Sequence, residues 1–259
     1  MSTLSGKWAL VTGATAGLGL AIAESLAGAG ANIILHDITA PSEAAASVRS
    51  RFKVEAIGVA ANLSQQTAIE AMMSDLLLRL GGIDILVNNA VVRHFAPLED
   101  FPPEKWEEAL AVNLSAPFHL ARLVLPAMKR RGFGRIVNLG SIYSTRGIAE
   151  RIDYVTTKTA IVGMTRAIAI EMAGTNITCN ALCPGVLPTP TIKSKIAAGA
   201  KRDGLSVEDA TRDYLTARQP SGRFIATESV GAMAVLLCGP AGQDITGTAL
   251  PIDGGWAIG

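Results

Sequence analysis

The 259-residue chain is poor in cysteine, histidine and aromatic residues, and its formal net charge is only +1. Three cysteines are an odd number, and Met1–Gly6 is too short and too polar to read as a secretory signal. Cys179, Cys183 and Cys238 therefore suggest no disulfide framework, and a reducing, cytoplasmic setting is expected. Cys179 and Cys183 stand four apart and could belong to a metal pair, but His36, His94 and His119 add no ligands at a recognisable spacing. Buried structural thiols and no metal are expected. No basic stretch is dense enough for a nucleic-acid or anionic-membrane surface, and no run of about 18 uninterrupted apolar residues suggests a bilayer span. Neither an internal repeat nor a low-complexity linker divides the chain, so one domain over 1–259 is expected.

What the chain has is a hydrophobic content of 49%, enough to bury a large core. Short apolar runs at 8–11, 32–35, 56–60, 83–87, 135–139, 177–182 and 249–252 predict seven strands. Helical spacing at 18–29, 66–80, 105–130, 154–173 and 228–237 alternates with them. That order predicts right-handed βαβ crossovers and a doubly wound α/β fold, a seven-stranded parallel sheet with helices on both faces. The polar stretch 191–219 interrupts the alternation. It reads as a lid over a substrate, with Gly199 and Gly204 as possible hinges and Ser206 as a candidate helix cap.

The first strand runs into Gly13-x3-Gly17-x-Gly19 and then a helix. Glycines there let the backbone turn sharply and approach a pyrophosphate, which the free N–H groups of a helix N-terminus favour; a tight strand-to-helix turn alone would also need glycine. Asp37 ends the second strand, 18 residues after Gly19. Its carboxylate can accept hydrogen bonds from an adenosine ribose and would repel a 2′-phosphate, favouring NAD over NADP; the plainer alternative is a solvated strand-end acid.

The glycine spacing after Thr12, together with Asn88-Asn89-Ala90, Pro184-Gly185 with Thr189, and Asp253-Gly254-Gly255, resembles the short-chain dehydrogenase/reductase family over nearly the whole chain. The resemblance implies a Rossmann-type single domain, a homotetramer packed through helices near 110–130 and 154–173 and through the last strand, and an NAD site. That site would comprise Gly13, Thr15, Gly17, Leu18, Gly19, Asp37, Asn62, Leu63, Asn89, Tyr154, Lys158, Pro184, Gly185, Leu187 and Thr189. Val91 replaces a glycine of the family motif, which implies a different path or less freedom for that loop. Asn62 stands where an aspartate often meets the adenine amine and can still accept that bond.

Tyr154 and Lys158, four apart at a helix start, share one face. A phenol titrates near 10, and bringing it to about 7 takes roughly 4 kcal/mol of preferential stabilisation of the phenolate, which nearby positive charge can supply. Ser141, thirteen residues before Tyr154, would hydrogen-bond the substrate oxygen while Tyr154 removes the alcohol proton. Such a Tyr-x3-Lys pair is also common on solvated helices, so its meaning comes from Ser141 and the glycine turn. By resemblance Asn113 is the fourth catalytic residue, holding a water that links Lys158 to solvent.

Further segments, among them Leu98-Glu99-Asp100-Phe101-Pro102 and Gln219-Pro220-Ser221, resemble the bacterial D-3-hydroxybutyrate dehydrogenases within that family. At the four positions where those enzymes grip the substrate carboxylate, this chain departs, with Arg93, Tyr143, Arg151 and Lys195. Added cations imply a small anionic alcohol other than plain 3-hydroxybutyrate: a larger hydroxy acid, a sugar acid or a sulfonated alcohol, with Ser141 and Tyr154 completing the substrate site. Alternatively, Arg93 and Arg151 face solvent or pair with Glu150 and Asp153. A neutral sugar or polyol dehydrogenase, a ketone reductase, and a catalytically silent nucleotide-binding protein are the competing functions.

Overall fold

The structure is a computed structural model that describes residues 3–258. Met1, Ser2 and Gly259, which the expected domain 1–259 includes, lie outside the described residues. Seven strands, β1 (Trp8–Thr12), β2 (Asn32–Asp37), β3 (Ala56–Ala60), β4 (Ile85–Asn88), β5 (Gly134–Leu139), β6 (Ile177–Pro184) and β7 (Ala249–Ile252), form one sheet in the order β3-β2-β1-β4-β5-β6-β7. Every pairing is parallel. The seven expected strands are thus present, each within two residues of its expected bounds.

A strand points successive side chains to opposite faces, so a sheet covered on both sides needs apolar residues at every position. In β1 Ala9 and Val11 enter one core while Leu10 enters the other. In β2 Ile33 and Leu35 oppose Ile34, and in β4 Ile85 and Val87 oppose Leu86. One face is covered by α1 (Gly17–Gly28), α2 (Ser42–Phe52) and α9 (Thr227–Cys238), the other by α3 (Gln66–Leu80), by α5 (Ala116–Arg131), which ends the chain's longest helical run, and by the C-terminal part of the helix over 152–171. All three cysteines are free and buried, and burial lifts the Cys179 and Cys238 thiols to about 12.

That long run joins α4 (Pro103–Leu110) to α5 through a five-residue π turn, Ala111–Ser115. By length and composition Pro103–Arg131 could cross a membrane. Its buried residues Ala109, Asn113, Leu120, Val124 and Met128 instead pack toward the sheet, α3 and α6 (Ile152–Glu171), the placement of a core helix.

The stretch 191–219 is more ordered than its polarity suggests. It forms α7 (Pro190–Asp203) and α8 (Val207–Thr216), which pack on each other. Ser206 does cap α8, its Oγ accepting the Asp209 N–H at 3.0 Å. Gly204 ends α7 in the left-handed region at φ 67°. Gly199, expected as a second hinge, lies inside α7 with helical neighbours on both sides, so the chain bends at one glycine.

Candidate active site

The chain leaves β1 to one side of the sheet and returns beside it as β4, so the carboxyl ends of these strands part and open a crevice. A cavity of about 630 Å³ fills it, running from Asp37 to Trp256. At one end Gly13 and Gly17 adopt φ of 64° and 60°, a region that favours glycine. A Cβ on Gly19 would stand 2.1 Å from the Gly13 carbonyl oxygen, so only glycine lets α1 press against the turn. Asn89, just after β4, locks the arrangement: its amide donates to the carbonyls of Thr12 (2.9 Å) and Gly13 (3.0 Å), and its N–H to Thr12 Oγ1 (3.0 Å). No side chain caps the start of α1 and no acid occupies its first turn. Its free N–H groups suit a phosphate.

Asp37 closes this end. Its carboxylate accepts the N–H groups of Thr15 (3.3 Å) and Ile38 (2.8 Å), which orients it at the cavity wall. Gly13, Leu18, Gly19, Asn62, Leu63, Asn89, Pro184, Gly185, Leu187 and Thr189 share that wall, and Val91 lines it in place of the family's glycine. Thr15 and Gly17 belong to the same turn but do not line the wall. Asn62 Oδ1 already accepts the N–H and hydroxyl of Ser64, an Asx-type turn after β3. Thr189 Oγ1 caps α7. A cradle that a Cβ would fill, an uncapped helix start and a carboxylate at the end of β2 fit a dinucleotide.

The opposite end is built from charged and aromatic side chains. Ser141 follows β5 and opens a tight turn over 142–144, its Oγ accepting the Tyr143 N–H at 3.2 Å while Ser144 Oγ accepts the Ser141 N–H at 3.1 Å. Ser144 Oγ also donates to the Lys158 carbonyl at 2.6 Å, which fixes this turn to α6. Tyr154 stands in the first turn of α6 and Lys158 one turn later. The Lys158 ammonium is buried, donates to the Leu139 carbonyl and lies 5.8 Å from the centre of the Tyr154 ring. Burial lowers its pKa from 10.5 to about 8, and the Arg93 charge pushes the same way.

Asn113 sits in the π turn, buried and off the cavity wall. Its Oδ1 accepts the Val92 N–H, and its amide donates to the Val92 carbonyl and to Thr157 Oγ1. These bonds hold the loop after β4 against α6.

Of the four residues where a substrate anion was expected, Arg93, Tyr143 and Arg151 line the cavity. Lys195 is exposed on α7 and does not, because its side of that helix faces solvent while Ile196 and Ala200 face the protein. The guanidinium carbons of Arg151 and Arg93 lie 5.0 and 5.9 Å from the Tyr154 ring centre. Among the described residues no carboxylate forms an ion pair with either, and Arg151 Nε is buried without a partner. Asp153, a candidate partner by sequence, instead accepts the N–H groups of Tyr154 and His94. Burial pushes the Arg151 pKa down, with Tyr154 opposing and Arg93 adding to the shift. Tyr143, its phenol pushed up by burial, meets Trp256 edge-on at 5.6 Å and Tyr154 at 6.3 Å.

Glu108, Tyr214, Trp256 and Gln219 were not expected at the site. The first three line the cavity. Gln219 is fully buried: its Oε1 accepts the Val186 N–H and its Nε2 donates to the Arg223 carbonyl. A Cβ on Gly185 would collide with that Oε1 at 2.1 Å, so glycine is needed for the end of the α7–α8 segment to seat on the turn after β6.

A family model described as enoyl-(acyl carrier protein) reductase matches residues 13–257. The D-beta-hydroxybutyrate dehydrogenase of Cupriavidus necator is 42% identical over 98% of both chains. That of Rhizobium meliloti is 39% identical over 96% of this chain and 98% of its own. Among solved structures, the L-sorbose reductase from Gluconobacter frateurii, complexed with NADPH and L-sorbose, matches with a TM-score of 0.94 at 30% identity, covering both chains completely. With the glycine turn, the seven-stranded parallel sheet and the Ser141, Tyr154 and Lys158 cluster in place, the chain belongs to the short-chain dehydrogenase/reductase family of oxidoreductases.

Proposed function

We propose that the protein is an NAD-dependent dehydrogenase that oxidises the secondary alcohol of a small anionic substrate, with Tyr154 as general base. The observation that carries the anionic substrate is the pair of guanidinium groups, Arg93 and Arg151, set around the Tyr154 ring with no carboxylate ion-pair partner among the described residues. Arg93 is exposed at the cavity rim, whereas Arg151 is half-buried with its Nε unpartnered, and a buried donor of that kind is costly unless a ligand completes it. The likeness to two D-beta-hydroxybutyrate dehydrogenases supports a hydroxy acid, and Asp37 supports NAD although the sorbose reductase was solved with NADPH.

When bound, the nicotinamide supplies the acceptor for the hydride of the carbinol carbon. Gly13, Gly19 and the free N–H groups of α1 would hold its diphosphate, Asp37 its ribose, and the Pro184–Thr189 turn its nicotinamide end. Arg151 and Arg93 bind the substrate anion and orient the carbinol toward Tyr154. Ser141 Oγ already accepts the Tyr143 N–H, so its own hydrogen is free to donate to the carbinol oxygen. Tyr154 takes the alcohol proton at its phenolic oxygen. Lys158, with a pKa of about 8, steadies the negative oxygen and passes the proton on.

The helices expected to pair in a homotetramer leave Phe118 on α5 and Ile170 on α6 exposed, which supports that assembly. Replacing Arg151 with alanine is expected to raise KM for an anionic alcohol roughly tenfold to a hundredfold, the worth of about 1.5–3 kcal/mol for a charge-assisted bond, while neutral alcohols change less than about twofold. Steady-state rates with NAD and NADP on both substrate types check this. Equal effects on both types, or a preference for NADP, would contradict the reading.

A further inference from the structure

The chemical half of the cavity also contains one acid that the mechanism above does not use. The cavity wall carries two carboxylates. Asp37 is at the far end beside the glycine turn, and Glu108, on α4, shares the wall with Arg93, Arg151 and Tyr154. The two oxygens of Glu108 differ. Oε2 accepts from Lys105 Nζ at 2.9 Å, with His94 Nε2 3.5 Å away, whereas Oε1 has no partner among the described residues. The His94 backbone N–H donates to Asp153 Oδ2 at 3.0 Å, so the loop that brings Arg93 to the wall is held in place beside Glu108. The bond from Lys105 keeps the Glu108 carboxyl below the usual carboxylate range.

An ionised carboxylate accepts hydrogen bonds and cannot donate them. The Glu108 side chain is 36% exposed beside the cavity, so Oε1 is accessible to a donor on the ligand and repels a second anionic group. Lys105 already supplies positive charge on the other oxygen, so a neutral donor, a hydroxyl, suits the position better than another cation. Resting on the anionic-alcohol reading, we propose that Glu108 is a specificity-determining residue whose free Oε1 accepts a second substrate hydroxyl, so that the preferred substrate is a polyhydroxylated acid. The anion is held by Arg93 and Arg151, the reacting carbinol by Ser141 and Tyr154, and the neighbouring hydroxyl by Glu108. Tyr143 and Trp256 provide an aromatic wall for the carbon chain.

The test is a matched set of four alcohols assayed as kcat and KM with the cofactor the enzyme prefers: racemic 3-hydroxybutanoate, racemic 3,4-dihydroxybutanoate, 2-butanol and 1,2-butanediol. A site built to bond a hydroxyl discriminates strongly against the analogue lacking it. The wild type is expected to favour the dihydroxy acid over the monohydroxy acid by about tenfold or more in kcat/KM. Glu108→Ala should bring that ratio to near one through KM, and Glu108→Gln, which keeps an oxygen acceptor, should retain most of it. A wild type that treats the two acids alike would overturn the proposal. So would a Glu108→Ala variant that loses the same factor on both acids, the mark of a residue that only braces the loop. Neutral alcohols turned over as well as the acids would overturn the anionic reading, while the ratio of 1,2-butanediol to 2-butanol would still report on Glu108. No turnover of either acid would overturn both.

Discussion

At the glycine-turn end of the cavity the wall is made largely of main chain and small residues, held by Asn89 and by the impossibility of a Cβ at Gly19. At the Tyr154 end it is made of long charged and aromatic side chains, Arg93, Arg151, Tyr143 and Trp256 on loops, turns and a helix start and Glu108 on the last turn of α4. Backbone geometry admits few alternatives, so the first end suits a cofactor shared by many relatives. Side-chain identity can change without moving the backbone, so the second end is where a substrate is chosen on a common fold. The sorbose reductase and the hydroxybutyrate dehydrogenases, alike in fold or sequence to this chain but named for different substrates, illustrate that division.

The sharpest separation of the two ends comes from Tyr154→Phe. Removing the phenolic oxygen should lower kcat by about a thousandfold, within the usual range for a general base, while the dissociation constant for NADH, read by fluorescence, stays within about twofold. Parallel loss of turnover and cofactor binding would merge the ends that the geometry keeps apart. Next in size is Gly19→Ala. Its methyl group must displace the Gly13 carbonyl, an overpacking cost of about 1–3 kcal/mol, and NADH should bind roughly tenfold to a hundredfold more weakly.

The smallest effect concerns stability. In the folded protein Lys158 titrates near 8 against 10.5 for the free side chain, so at neutral pH the native state holds a buried charge that the unfolded chain solvates. The native state releases its proton first as pH rises. Between about 8 and 10.5 the unfolded state binds more protons, and this residue's contribution to stability therefore grows with pH. The shift corresponds to about 3 kcal/mol, partly offset by the bond to the Leu139 carbonyl. Lys158→Met should be inactive yet melt a few degrees higher than the wild type at pH 7, with the gap closing toward pH 10.5. Calorimetry across that range checks it, and a variant less stable at pH 7 would show that the Leu139 bond outweighs burial.

The sheet and the glycine turn were legible because each strand is apolar on both faces and because glycine is the one residue the turn admits. Helices α2, α7 and α8 were not, since they bury only Ala45 and Val48, Ile196 and Ala200, and Leu215 respectively, too few to leave a periodic signal. Lys195 was misplaced for the same reason: without a helix there, its direction could not be read. Tyr154, Lys158 and Ser141 lie within one turn–helix unit and could be paired by spacing. Only the folded chain puts Glu108 on one wall with Arg93, Arg151 and Tyr154 and brings Gln219 to the Val186 N–H, and no local pattern marks either placement.

The π turn at Ala111–Ser115 bears on how this site could change with time. A single π turn amounts to one residue more than an α-helix needs, taken up as a local bulge between α4 and α5. A chain shortened by one residue there would keep both flanking helices in register and forfeit only the bulge that turns Asn113 toward Val92 and Thr157. The fold and the bracing of the loop that bears Arg93 are therefore separable, and the loop can be re-aimed by insertion or deletion without rebuilding the sheet beneath it.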